Sequence, residues 1–328
     1  MGRQIKFNIG IIGCGLIGQR RAKHLGKKGV LIACADTNIK NANKIALKKN
    51  ILIFTNWKKL IEIKELDIIF VSTYHNKLCN IVLESYKKGK HVFVEKPGAK
   101  NFIEIKRLIK IVKNKNIKIK VGFNHRYHQS IVKSKNIIKS GALGNLMYIR
   151  GRYGHGGRLG YENEWRAKKK IAGGGELLDQ GSHLIDLSRM FLGNFNKVSG
   201  FINTYFWKMS VEDNAFLTLR TANDRVAFLH ASWTEWKNLF SLEIFGTKGK
   251  LDISGKGGSY GLEQLIFYKM TKKMNKPKAQ KWSFKDNDTS WKNEINDFYN
   301  DIIFNKEPSP NLKDAYETLK IINQVYKS

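Results

Sequence analysis

Acidic side chains are scarce in this chain of 328 residues: 27 Asp and Glu stand against 59 Lys and Arg, for a formal net charge of +32. Such an excess in general draws nucleic acid, anionic membranes or phosphorylated substrates. Here the lysines run from end to end among isoleucines and asparagines, as an AT-biased coding sequence would place them. No arginine-rich tail or compact basic run interleaved with aromatics occurs, so no specific nucleic-acid partner is expected. Cysteine is nearly missing too. Cys14, Cys34 and Cys79 lie far apart, which suits reduced thiols in a reducing compartment and no metal site. No apolar stretch approaches the ~20 residues that a membrane-spanning helix needs. The opening MGRQIK and the apolar run after it have the outline of a signal peptide, but Gln19 to His24 make a poor cleavage region. Lys6 stands where a myristoylation pattern needs Ser or Thr. The expectation is a cytoplasmic protein without membrane association.

What is present is globular: 42% hydrophobic and 11% aromatic residues, in a chain long enough for one large or two ordinary domains. Residues 5–12 form an apolar run of strand length, followed at once by Gly13-Cys14-Gly15-Leu16-Ile17-Gly18 and a helix-like segment to about Lys28. This is the G-x-G-x-x-G turn between a strand and a helix. Gly13 permits the tight turn, Gly15 a close backbone approach to a pyrophosphate, and Gly18 close helix–strand packing, with the helix N-terminus facing the anion. A second strand, 31–36, ends in Asp36, where an acid accepts hydrogen bonds from ribose hydroxyls and repels a 2′-phosphate. Thr37 and Asn38 follow without an arginine, so NAD is favoured over NADP.

Strand-like segments near 51–54, 66–73, 91–94 and 117–123 then alternate with helical ones near 38–49, 57–63, 76–89 and 101–115. Asn76 is the expected cap of the third of these helices, and Asn101 with Glu104 resembles a capping box. The alternation predicts a doubly wound parallel sheet, in which ligands bind beyond the carboxyl ends of the strands. Ser72-Thr73-Tyr74-His75 and Glu95-Lys96-Pro97 occupy two such ends.

The stretch Gly173–Asp186, GGGELLDQGSHLID, leads three glycines into a helix that carries Asp179, His183 and Asp186. Their spacing of four and three predicts one shared face, and Gly181 interrupts the helix at a cost of ~1 kcal/mol relative to alanine. On these residues alone two readings stay open: proton chemistry beside a ligand, or a half-buried polar face whose members satisfy one another.

The glycine turn, the EKP after the fifth strand and GGG-x-L-x-D-x-G-x-H-x-x-D together resemble the Gfo/Idh/MocA family of oxidoreductases. GFNHRYH at 122–128, EIFGTKGKLDISG at 243–255 and the closing helix extend the resemblance over nearly the whole chain. The resemblance implies hydride transfer between NAD(P) and a sugar or polyol carbon, with Lys96, Asp179 and His183 as the catalytic set. It places Asn124 and Arg126 in the cleft. His125 between them and Tyr74 after the fourth strand depart from the commoner pattern.

The expected fold is therefore α/β: a Rossmann domain over 1–122 and a substrate-binding and oligomerisation α+β domain over 123–328 with a mostly antiparallel, open-faced sheet. Strand-like segments near 145–153, 197–208, 213–221, 226–236, 239–246, 250–254 and 263–269 carry that sheet, and helices near 290–304 and 312–327 close the chain. The open face, which the resemblance implies, suggests a homodimer or homotetramer. The expected cofactor set is Gly13, Gly15, Leu16, Ile17, Gly18, Asp36, Thr37, Ser72, Thr73, His75, Glu95 and Lys96. The expected substrate set is Lys96, Asn124, Arg126, Arg152, Tyr153, Trp165, Arg166, Asp179 and His183, with no metal. Arginine forks suit carboxylates and phosphates, so Arg126 with Arg152, Arg158 and Arg166 of the glycine-rich 151–172 loop raises a uronate or nucleotide sugar beside free sugars and polyols. Whether His183 or Lys96 is the base stays open, and a catalytically silent NAD(H)-binding sensor or scaffold is the alternative to an enzyme.

Overall fold

The computed structural model describes residues 5–46, 50–271, 273–285 and 288–328. The opening residues 1–4 and the end of the 38–49 helix expectation, residues 47–49, lie outside the described residues. The chain divides into two compact units, 1–123 with 291–316 and 124–290 with 317–328.

The first unit runs β1 (Phe7–Ile12), α1 (Leu16–Lys23), β2 (Gly29–Ala35), α2 (Ile39–Ile45), β3 (Leu52–Phe54), α3 (Trp57–Ile61), β4 (Ile68–Val71), α4 (His75–Lys87), β5 (His91–Glu95), α5 (Phe102–Ile111) and β6 (Ile119–Gly122). Its six strands are parallel in the order β3-β2-β1-β4-β5-β6. The order reverses direction beside β1, which makes the end of β1 a ligand crevice of this fold. β4 is buried along its whole length, as a strand covered by helices on both faces must be. Asn101 caps α5, accepting from the Glu104 N–H at 3.0 Å, while Glu104 accepts from the Lys100 N–H. The α4 cap falls elsewhere than expected: the helix starts at His75 after Tyr74, so Asn76 sits inside its first turn.

The second unit runs α6 (Gln129–Lys139), β7 (Leu146–Gly154), α7 (Lys169–Ala172), α8 (Ser182–Leu192), β8 (Phe195–Asn203), β9 (Asn214–Thr221), β10 (Val226–Ser232), β11 (Leu239–Gly246), β12 (Gly249–Ser254), β13 (Glu263–Lys269) and β14 (Lys278–Phe284). Its eight-stranded sheet has the order β14-β13-β12-β11-β7-β10-β9-β8. All neighbours are antiparallel except β10 and β7. The edge strand β14 lies outside the strand-like segments of the sequence. Its sequence, KAQKWSF, has little apolar alternation because it is mostly exposed, and only its pairing with β13 makes it a strand.

The closing helices are α9 (Ser290–Ile303) and α10 (Leu312–Val325). The boundary falls after Phe123, but the second unit is not one continuous stretch from there, because residues 291–316, nearly all of α9 among them, belong to the first unit. Phe298 and Tyr299 join Phe7, Phe70 and Phe93 in its core, and the fully buried Arg21 pairs with Glu294 at 2.6 Å. A segment distant in sequence supplies both apolar cover and the counter-charge for a buried cation, so it folds with that unit.

Candidate active site

In the first unit the glycine turn is built by contact. Gly13 has φ +89°, and a Cβ there would stand 2.5 Å from the Ser72 carbonyl oxygen; one on Gly18 would stand 1.9 Å from that of Gly13. Gly15 has open space around it, and it precedes α1. Leu16 is exposed, Ile17 half-buried and Thr37 exposed. Asp36 accepts from the Cys14 N–H at 2.7 Å and the Asn38 N–H at 2.8 Å. Those two bonds fix the carboxylate at the turn and leave further lone pairs for hydroxyl donors. The open cradle at Gly15 and this anchored acid fit a dinucleotide.

Ser72 and Thr73 follow β4, and buried His75 opens α4. Lys96 is half-buried just past β5. Glu95 is spent differently from the expectation: Arg21 donates to it at 2.6 Å, so it forms part of the same buried charge network as Glu294.

In the second unit, residues Leu177–Gly181 form a wide π-helical turn before α8. Such turns are frequent at functional sites. Asp179, His183 and Asp186 each meet a partner outside this set. Arg166 donates to Asp179 at 3.2 Å. The His183 ring stacks on His125 with centroids 3.6 Å apart. Arg126 grips Asp186 with Nε at 2.7 Å and Nη2 at 2.5 Å, a buried two-point pair.

The glycines before this turn are occupied by protein. A Cβ on Gly174 would stand 1.9 Å from the Tyr326 hydroxyl, and one on Gly175 2.0 Å from the Glu212 carbonyl oxygen. Glu212 Oε1 accepts from the Gly175 and Leu177 N–H groups and from Tyr326, at 2.9, 3.1 and 2.7 Å. Burial pushes the Glu212 carboxyl above its ordinary value, against the pull of those donors. Gly181 faces Leu177 and Ala231 of β10. These glycines therefore make room for packing in the scaffold.

The arginines are also committed. Arg152 and Tyr153 are neighbours on β7 and point to opposite sheet faces, Tyr153 buried and Arg152 exposed. Tyr153 lies near His183, 6.2 Å between ring centroids, so Arg152 leaves the substrate set by the period-two geometry of a strand. Arg158 pairs with Glu164 at 2.6 Å. Arg166 lies over the Trp165 ring while holding Asp179. Asn124 is buried and donates to Ser290 at 3.1 Å.

A sequence model described as "Oxidoreductase family, NAD-binding Rossmann fold" matches residues 7–123, and the GFO/IDH/MocA C-terminal domain matches residues 131–252. The chain belongs to the Gfo/Idh/MocA family. It is an NAD-binding oxidoreductase of that family, with sugar dehydrogenases among its relatives. Levoglucosan dehydrogenase of Pseudarthrobacter phenanthrenivorans is 27% identical over 224 residues, which are 60% of this chain and 57% of that protein. Myo-inositol 2-dehydrogenase of Thermotoga maritima is 26% identical over 256 residues, 75% of this chain and 74% of that one. A solved levoglucosan dehydrogenase in complex with NADH and levoglucosan superposes with a TM-score of 0.89 at 23% identity, covering 98% of this chain and 97% of that one. At that identity the superposition shows the shared fold.

Within this family member, sequence reading missed the groups behind His183. Lys256 is buried with its ammonium 3.8 Å from the Tyr153 ring centroid and hydrogen-bonded to His125. Tyr260 accepts from Gln180 at 3.0 Å. The one available signal was the unusual His125 in GFNHRYH; Lys256 and Tyr260 lie in a glycine-rich connection that has no periodicity to read. Among the described residues no group of three or more His, Cys, Asp or Glu could hold a metal ion, and no helix is long and apolar enough to cross a membrane.

Proposed function

We propose that this oxidoreductase uses NAD to oxidise a secondary alcohol of a neutral sugar or polyol, or to reduce the corresponding ketone. The observation that carries the reading is the buried His183 imidazole, held in the first turn of α8 directly after the π-helical turn that carries Asp179. NAD, when bound, supplies the hydride acceptor. Gly13, Gly15, Gly18 and Asp36 hold it, and the Asp36 carboxylate disfavours a 2′-phosphate. His183 takes the hydroxyl proton, a role suited to imidazole near neutral pH. Asp179, steadied by Arg166, orients the reacting hydroxyl or its neighbour. Lys96 donates a hydrogen bond to the reacting oxygen and stabilises alkoxide character.

The preference for a neutral substrate comes from the arginines. Arg126, Arg158 and Arg166 each engage a carboxylate of the chain, and Arg152 faces the other side of its sheet. A uronate or nucleotide sugar would have to displace those carboxylates. The exposed face of the second unit's sheet carries Phe201 on β8 and Phe228 on β10, 78% and 54% exposed. In this reading that face is covered in a homodimer or homotetramer, which multi-angle light scattering would show as a mass two or four times that of the chain.

The decisive experiment follows NADH formation across free sugars, polyols, uronates and nucleotide sugars, with His183→Asn and Lys96→Ala run beside the parent protein. Turnover of a neutral sugar that both variants abolish supports the reading. Near-normal turnover in both variants overturns the residue roles. Tight NADH binding with no turnover across the panel favours a silent NAD(H)-binding sensor.

A further inference from the structure

Lys256 follows β12 and is 5% exposed, with its amine inside the fold. Three aromatic rings enclose that group: Tyr153 at 3.8 Å, Phe240 at 4.9 Å and Tyr260 at 5.1 Å from their centroids. Cation–π attraction of this kind stabilises a desolvated charge. The ammonium also meets the His125 ring, hydrogen-bonding Nε2 and lying 3.4 Å from Nδ1. Held as an ammonium, Lys256 has only donors, and the His125 nitrogen it meets then offers the lone pair of a neutral imidazole. His125 in turn stacks on His183, with ring centroids 3.6 Å apart and planes 26° from parallel.

We propose that Lys256 is a positioning residue for proton transfer, acting through His125 to keep the His183 imidazole neutral and fixed so that it can accept a substrate proton. The proposal rests on the reading of His183 as that acceptor. A proton arriving on either imidazole meets the ammonium and the stacked ring in a low-dielectric setting, where like charges oppose one another. The other charged groups near the pair come from every surrounding element. On the helix itself are Glu176, Asp179 and Asp186, of which Asp179 and Asp186 are each matched by an arginine, Arg166 and Arg126. β7 contributes Tyr153 and the 255–261 connection Tyr260, both phenols pushed well up by burial and so neutral. At the start of α6, His128 contacts Glu263 at 3.0 Å.

The test is a pH titration of the histidine Cε1–H resonances in the full-length protein, with His183→Asn and His125→Asn used for assignment. Lys256→Met fills the aromatic enclosure without charge and is expected to raise the His183 midpoint by about one pH unit, roughly tenfold in proton affinity. Lys256→Arg, which keeps the charge, is expected to leave it near the parent value. An unmoved midpoint in a Lys256→Met protein with native near-ultraviolet circular dichroism overturns the proposal. Should that variant not fold, Lys256→Gln keeps a donor to His125 without charge and decides the same point. With the substrate found in the screen, the acid limb of kcat/KM for alcohol oxidation should move up with the midpoint. A moved midpoint alongside a fully active His183→Asn separates the two ideas: the electrostatic coupling stands, and the assignment of His183 as acceptor, with the catalytic role of Lys256, falls.

Discussion

Arg166 donates from Nε to the Asp179 carboxylate at 3.2 Å, joining the loop after β7 to the π-helical turn that precedes α8. The pair is partly buried, with side-chain exposures of 30% and 15%, so solvent screens it less than a surface ion pair. Arg166→Leu removes this cation from the Asp179 carboxylate. The expected result is a loss of about ten- to a hundredfold in kcat/KM, the kinetic equivalent of one charge-assisted hydrogen bond, with NADH affinity unchanged by fluorescence titration. Arg166→Lys should recover part of the loss. Unaltered kinetics in Arg166→Leu would remove Asp179 from the proposed machinery.

In the proposed function Asp36 sets the choice of dinucleotide. Asp36→Ala gives up the acceptor for the ribose hydroxyls and the repulsion of a 2′-phosphate. NADH should bind about tenfold or more weakly, and NADPH should gain on NADH, with both affinities read by fluorescence quenching. A preserved NADH:NADPH ratio would place the discrimination elsewhere.

Gly174 tests the scaffold. Its would-be Cβ stands 1.9 Å from the Tyr326 hydroxyl, which itself donates to buried Glu212. Gly174→Ala must push that hydroxyl aside and should cost about 1–3 kcal/mol, as overpacking does, seen as a lower Tm. Tyr326→Phe removes the donor and retains the ring, so Glu212 loses one of its partners, at about 1–3 kcal/mol. In the double variant the two losses should be less than additive, because both act on one contact.

The Arg21 network predicts a pH dependence. Burial pushes the Glu294 carboxyl up to about 7 from an ordinary 4.5, with Arg21 pulling the other way. The folded chain therefore holds this proton more tightly than the unfolded one. Its contribution to stability is fully present below about pH 4.5 and is lost as pH rises through about 7. Urea denaturation of the parent protein and of Glu294→Gln across pH 5–8 should differ in slope, the variant lacking the decline from this group. Parallel curves would contradict it.

Much of the first unit is legible because its signals are local. The glycine turn, the Asn101 cap and the apolar strands each specify their own conformation within a few residues, and the alternation of strand and helix leaves little choice of topology. The site is less legible because residue type does not name a partner. Arg126 and Arg166 read as anion receptors, yet each closes on an aspartate of the helix they were expected to serve. Arg152 and Tyr153 read as one cleft wall, but adjacent residues of a strand face opposite ways. Edge strand β14, without a buried face to pattern it, left no trace in the sequence at all.

The sequence by itself determined the dinucleotide turn, the acid at the end of β2, the order of elements in the first unit and the family, because turn chemistry and hydrophobic period act over short spans. Only the tertiary structure decided which charges meet. Arg126 finds Asp186 across 60 residues, Lys256 finds His125 across 131, and Arg21 finds Glu294 across 273. A buried charge accepts whichever counter-charge or acceptor the packing brings within reach, and packing is a property of the folded chain, not of any one stretch.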